Sequence, residues 1–300
     1  MPPASCSDKR PRDRADPLRL AFVQHTEAEF SGVQGTRIVY DVWRPEGAPT
    51  GILLLAHGIG EHARRYDHVV DRLVGLGLVV YAPDHRGHGR SGGKRIELRD
   101  WSEFIDDLHR LSAIAAAQNP GLPRFLLGHS MGGAIALTYA LDHGEELAGL
   151  ILSAPAIELV TKKPKFVIEL GKIVGRFVPG LPVETLDVKA VSRDPAVVAA
   201  YESDPLVYHG MIKAGIARGL VLAAESFPER VSSLTMPTLV LHGTDDRVVD
   251  ISGSRMVAER AGTQDMTLKT YDGLFHEVFN EPEQEKVLDD LVDWLRPRLK

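Results

Sequence analysis

The chain has 300 residues, a formal net charge of −6, a pI near 6.1 and one cysteine. That balance supplies no basic footprint for nucleic acid, no disulfide framework and no cysteine-based zinc site. With 44% hydrophobic residues and no run near the ~20 apolar residues of a membrane span, it suits one large α/β domain with an insertion.

Residues 1–17 hold four prolines together with Lys9, Arg10, Arg12 and Arg14. No apolar stretch stands behind them, so the segment reads as a disordered tail and not as a secretory signal. The expected location is cytoplasmic, with contact to a membrane or cell envelope from the outside of the lipid. Next, Arg37-Ile38-Val39-Tyr40-Asp41-Val42-Trp43 alternates with period two, as a half-buried edge strand does. Residues 51–56 are continuously apolar, the pattern of a strand buried on both faces. Tyr66, Val69, Val70, Leu73 and Val74 then recur at helical spacing before Gly75 and Gly77. A strand over 78–82, a helix over 101–118 and a strand over 125–127 follow. Further strands are expected at 150–152, 238–241 and 267–271, and a last helix at 284–295 repeats Val287, Leu288, Leu291, Val292 and Leu295 on one face.

Strands alternating with helices predict a mostly parallel sheet flanked by helices, with ligands at the carboxyl ends of the strands. Residues 156–228 break the alternation, showing only helical or irregular pattern. They are expected to form an inserted helical cap over the active edge, leaving 18–155 and 229–300 as the core. Within the cap, Lys165, Glu169, Lys172 and Arg176 form one polar stripe. Phe166, Val167, Ile168, Leu170, Ile173, Val174, Phe177 and Val178 fill nearly everything else. So wide an apolar face exceeds one packing contact and is expected to serve both packing and a reversible lipid contact.

Chemistry concentrates around Gly128-His129-Ser130-Met131-Gly132, a G-x-S-x-G between an apolar run and a helix-forming stretch. Strand, sharp turn and helix in that order expose a serine hydroxyl above a sheet as a nucleophile. Ser130 needs a base, an orienting acid and an oxyanion hole. His276, after a strand and a Gly273-Leu274-Phe275 turn, completes the order Ser, Asp, His of this elbow class. Asp246 is the chosen acid, with adjacent Asp245 as the alternative. The oxyanion donors are expected to be the backbone N–H groups of Met131 and of Ile59 in His57-Gly58-Ile59-Gly60. His129 reads as a packing neighbour. His85 and His88 lack a matched third ligand, so no metal is expected. No cofactor is called for.

His57-Gly58-Ile59-Gly60-Glu61-His62 with Arg65-Tyr66, then Asp84-His85-Arg86-Gly87-His88-Gly89-Arg90-Ser91 and the elbow, closely resemble monoacylglycerol lipases of the α/β-hydrolase fold. Leu241-His242-Gly243-Thr244-Asp245-Asp246-Arg247 extends the match. Val178-Pro179-Gly180-Leu181-Pro182 and His276-Glu277-Val278-Phe279-Asn280-Glu281-Pro282 point to the mycobacterial type. The resemblance implies the triad Ser130, Asp246 and His276, hydrolysis of monoacylglycerol to glycerol and fatty acid, and a polar glycerol pocket involving Glu61 and Arg65. Mammalian members carry a second histidine three residues after the triad histidine, where Phe279 stands here. A carboxylesterase or lysophospholipase with the same triad is the alternative; a non-catalytic binding protein would require a missing triad member.

Overall fold

The computed structural model describes residues 24–160 and 163–299; the tail over 1–17 and Lys162 of the cap lie outside them. Eight strands form the main sheet: β1 (Gln24–Ser31), β2 (Arg37–Arg44), β3 (Gly51–Ala56), β4 (Leu78–Pro83), β5 (Arg124–His129), β6 (Gly149–Ser153), β9 (Thr238–Gly243) and β10 (Met266–Tyr271). Their order is β1-β2-β4-β3-β5-β6-β9-β10. Only β1 with β2 and β2 with β4 pair antiparallel; the remaining pairs are parallel.

The central strands are buried on both faces, which is why they read as unbroken apolar runs. Ile52 and Leu54 of β3 point into one apolar layer with α2 (Ser102–Gln118), α3 (Met131–His143), α6 (Ala214–Arg230) and Val257 of α7 (Ile251–Arg260). Leu53 and Leu55 point into the other, against α1 (Asp67–Gly75) and α8 (Gln284–Leu295). A period of two thus divides one strand between two cores.

The segment around Arg37 is not an edge strand. β2 lies second in the sheet, Ile38 through Trp43 are buried, and β1 covers its outer side. The polar position that suggested a solvent face, Asp41, is buried and accepts from His25 Nε2 (2.7 Å), Arg64 Nη2 (3.1 Å) and Arg90 Nη2 (2.5 Å). An ion cluster therefore imitates the alternation of an exposed strand. β1 itself, Gln-His-Thr-Glu-Ala-Glu-Phe-Ser, is largely exposed and carries little apolar signal.

Between β6 and β9 the chain forms α4 (Lys165–Phe177), α5 (Pro195–Ser203) and α6, with a two-stranded ribbon of β7 (Pro182–Glu184) and β8 (Ile212–Lys213). α4 seats its Gly175 on α6, where a Cβ would strike Ala214 O and Arg218 Cβ. Ile216, Ala223 and Phe227 of α6 join the apolar layer around α2 and α3. α4 leaves most of its surface open: Lys165, Glu169 and Arg176 of the polar stripe are exposed, while Ile168 and Val174 are half-buried. Phe166, Leu170, Ile173 and Phe177, at spacings of four, three and four, are exposed, Phe166 and Phe177 by 73% and 74%. Lys172 of the polar stripe turns inward to Glu225 of α6 at 3.0 Å.

Two glycines should respond oppositely to one added methyl. A Cβ on Gly132 meets the backbone oxygens of Ala56 and His57, whereas nothing lies near Gly171 on exposed α4. Gly132→Ala is expected to lower stability by at least ~1–3 kcal/mol through overpacking. Gly171→Ala should raise it by ~0.5–1 kcal/mol through helix propensity. Thermal melts or urea titrations of both variants check the contrast.

Candidate active site

The turn joining β5 to α3 holds Ser130 at φ 54° and ψ −118°. Such a conformation costs a non-glycine residue ~1–3 kcal/mol and persists only where the surroundings over-determine it. Here Ser130 N–H donates to Ser153 O (3.0 Å), and Ser130 O accepts from Ala156 N (2.9 Å). Gly128 and Gly132 let strand and helix close on the turn, since a Cβ on Gly128 would strike Gly132 O.

Three residues far apart in the chain meet there. Ser130 Oγ–H donates to His276 Nε2 at 2.8 Å, and His276 Nδ1–H donates to Asp246 Oδ2 at 2.7 Å. Asp246 Oδ1 accepts from the N–H groups of Val248 (2.8 Å) and Val249 (2.9 Å), which aims its other oxygen at the imidazole. His242 Nε2 lies 3.3 Å from that second oxygen, and its Nδ1 bonds Ser254 Oγ at 2.7 Å. His242, inside β9, is a supporting residue that the sequence reading missed; its place four residues before Asp246 was the available signal. Asp245 is exposed and donates its backbone N–H to Leu274 O instead.

The electrostatics follow from burial and partners. Burial alone would raise the Asp246 carboxyl, but the His276 charge and the hydrogen bonds from His242, His276 and Val249 outweigh it and hold it far below its usual range. Burial alone would depress His276, yet Asp246, with Glu277 and Glu61 behind it, lifts it above an ordinary imidazole. His129 packs 4.8 Å from the His276 ring, and burial, with the His276 charge, pushes it down to about 3. It is therefore a neutral neighbour at ordinary pH. His57, His85 and His88 pack at steep ring angles as a buried cluster, with Phe104 against His85 and His88, and the His85 backbone N–H donates to His57 Nε2 at 2.9 Å.

The loop after β3 runs beside the nucleophile, a Cβ on Gly58 falling 3.3 Å from Ser130 Cβ. Among the described residues, the N–H groups of Ile59 and Met131 have no acceptor. Neighbouring Gly58 N–H donates to Glu61 Oε1 (2.5 Å), which also accepts from Tyr66 Oη (2.7 Å). Arg65 Nη1 bridges Glu61 Oε2 (2.5 Å) and Glu277 Oε1 (2.8 Å), while Nη2 reaches Glu277 Oε2 (2.8 Å). The Arg65 guanidinium lies over the Tyr201 ring of α5 at 4.6 Å. Asn280 Nδ2 and the Val191 carbonyl complete the hold on Glu277. Arg65 thus clamps the Gly58 loop to the loop carrying His276. Both oxygens of Glu61 are spent on this network. Glu277, next to His276, is a second residue that pattern reading passed over. Phe279, at the position of the mammalian second histidine, packs in the apolar layer of α1 and α8.

A parallel sheet with serine, imidazole and carboxylate hydrogen-bonded in line at its strand ends is the architecture of the α/β-hydrolases. A family model described as serine aminopeptidase, S33, matches residues 47–283. A monoacylglycerol lipase of Mycolicibacterium smegmatis is 52% identical over 270 residues, 90% of this chain and 96% of that protein. The solved monoacylglycerol lipase of Paleococcus ferrophilus superposes with a TM-score of 0.78 at 32% identity, over 92% of this chain and 99% of that one. A soluble variant of the Saccharomyces cerevisiae monoglyceride lipase, solved with a substrate analogue, gives 0.82 at 25% identity, over 94% and 97%. The chain belongs to this hydrolase family, among its monoacylglycerol lipases.

Because protonated His276 cannot take the Ser130 proton, kcat/KM on a soluble ester should fall on acidification. The midpoint should lie above the ~6.5 of a free imidazole. Asp246→Asn should cost about 10⁴ in kcat, as removing the orienting carboxylate does in other triads, and shift the remaining limb to lower pH. Asp245→Asn should leave both rate and limb near the parent's. pH–rate profiles of the three proteins check this.

Proposed function

We propose that this chain hydrolyses monoacylglycerol to glycerol and a fatty acid through an acyl-enzyme on Ser130. The observation that carries the reading is the unbroken hydrogen-bonded line from Ser130 through His276 to Asp246, in a chain this similar to named monoacylglycerol lipases. Ser130 Oγ attacks the ester carbonyl while His276 Nε2 takes its proton. The Ile59 and Met131 N–H groups, free and beside the nucleophile, receive the oxyanion; one such donor is worth ~3–4 kcal/mol at the transition state. His276 then protonates the glycerol oxygen, and in the second half it activates water to release the acid. Asp246 holds the tautomer and stabilises the imidazolium.

Glu61 and Arg65 serve the polar end through the loop they hold: their donors and acceptors fix the Gly58–Ile59 backbone and keep it in register with His276. Residues 156–228 act as the cap. Within it, Asp204 meets His62 Nε2 at 2.8 Å, and Tyr208 N–H donates to Gly60 O at 2.7 Å, so the cap is seated on the oxyanion loop itself.

One small polar head and one chain define the substrate class. Long-chain monoacylglycerol is expected to turn over far faster than emulsified triacylglycerol, lysophospholipid or short soluble esters, and folded Ser130→Ala should lose about 10⁶ in kcat. Preference for lysophospholipid or a short ester in initial-rate comparisons would move the chain to the lysophospholipase or carboxylesterase class.

The exposed apolar stripe of α4 is the lipid-facing side of this enzyme. Among the described residues no helix is long and apolar enough to cross a membrane. Phe166, Leu170, Ile173 and Phe177 face outward, with Lys163 and Lys165 at the helix start, so attachment is interfacial and reversible. Phe166→Ser with Ile173→Ser should reduce co-sedimentation with anionic vesicles and slow hydrolysis of vesicle-borne monoacylglycerol. Turnover of a short soluble ester should stay within about twofold. Vesicle binding equal to the parent's would make α4 a lid alone.

A further inference from the structure

The triad uses only the first turn of α3. From there the helix runs 13 residues, about 20 Å at 1.5 Å per residue, to His143. At that far end His143, His109 of α2 and Glu146 of the following turn each bring one ligand-capable atom within 4.8 Å of the other two.

The carboxylate is held for the purpose of a second contact. Glu146 Oε2 accepts from Tyr139 Oη (2.8 Å) and Arg124 Nη1 (2.9 Å), leaving Oε1 3.6 Å from His109 Nδ1, whose proton goes to Tyr139 Oη at 3.3 Å and would be released to an incoming cation. His143 has no hydrogen-bond partner among the described residues, and its ring lies on that of His109 with centroids 4.3 Å apart. The last carbonyls of α3 turn the negative end of the helix dipole to the same spot, which favours a cation. The cluster is only partly buried, the His109 side chain being 41% exposed, so a hydrated ion can reach it.

We propose that His109, His143 and Glu146 form a binding site for a divalent transition metal of the zinc class, remote from the triad. Two imidazoles and one carboxylate suit Zn²⁺ and its neighbours better than Ca²⁺ or Mg²⁺, which take oxygen ligands. The 3.6 Å separation of His109 Nδ1 and Glu146 Oε1 matches the ~3.4 Å edge of a tetrahedron built on ~2.1 Å bonds. On binding, the stacked rings fan apart to present their nitrogens. Arg124 and Tyr139 remain as outer partners of the ligating carboxylate, the usual arrangement around a metal-bound acid. The ion would tie α2, α3 and the turn before β6 together, adding stability and no catalytic step.

The test uses the untagged full chain, stripped with chelator and titrated with ZnCl₂ by calorimetry. A parallel Co²⁺ titration reads the visible spectrum. The expected result is one saturable equivalent, a tetrahedral Co²⁺ absorption and a rise in melting temperature. His143→Ala, at a partly exposed position, should fold normally and lose at least about tenfold in Zn²⁺ affinity together with the thermal gain. Zinc bound at this site should leave turnover of a soluble ester unchanged. Absence of saturable binding to the parent, or equal affinity and thermal gain in His143→Ala, overturns the proposal.

Discussion

A guanidinium buried between two carboxylates holds the catalytic edge together. Arg65 spans from Glu61, which accepts from the Gly58 N–H of the loop after β3, to Glu277, the residue after His276. Burying a guanidinium with two carboxyls carries a large desolvation cost, and the geometry offsets it with bidentate bonds and near-complete satisfaction of the acceptors. Burial pushes the Glu61 carboxyl up, whereas Arg65, acting against burial, draws Glu277 down. Such a link suits positioning: weakening either half would free a loop and leave an uncompensated buried charge.

The strained elbow depends on that frame. Ser130 has to stay in a left-handed backbone while its hydroxyl meets an imidazole from 146 residues away. Glycines supply the close approach, the Ser153 and Ala156 backbone supplies the hydrogen bonds, and the clamp keeps the partner loop at the right distance. Asp246 is fixed more locally, by the Val248 and Val249 N–H groups and by His242. Both triad partners of the serine are therefore oriented by residues outside the triad.

The segment between β6 and β9 shows the same division between chemistry and placement. α4 pairs Lys172 with Glu225 of α6 and leaves its phenylalanines exposed beside Lys165, Glu169 and Arg176. Buried Gly175 lets α4 lie close on α6, where a Cβ would strike Ala214 O and Arg218 Cβ.

Much of the architecture was legible from local pattern. Central strands such as 51–56 announce themselves because both faces are buried, and the elbow because its glycines are sterically required. Ser130, Asp246, His276 and the Ile59 loop all lie at ends of such strands, so chain order alone brought them to one edge. What escaped the pattern was whatever depends on partners distant in sequence. Among the described residues β1 pairs on one edge and is largely exposed, so it carries polar side chains, and β2 looked exposed because Asp41 lies in an ion cluster that periodicity cannot see. Glu61 and Arg65 read as pocket residues, and only the fold brought Glu277 within reach to absorb Arg65. The outward turn of α4 was likewise undecided, since an amphipathic helix specifies two faces but not which one meets protein. Local sequence sets backbone preference and apolar period; tertiary packing alone decides which charges are paired and which faces remain bare.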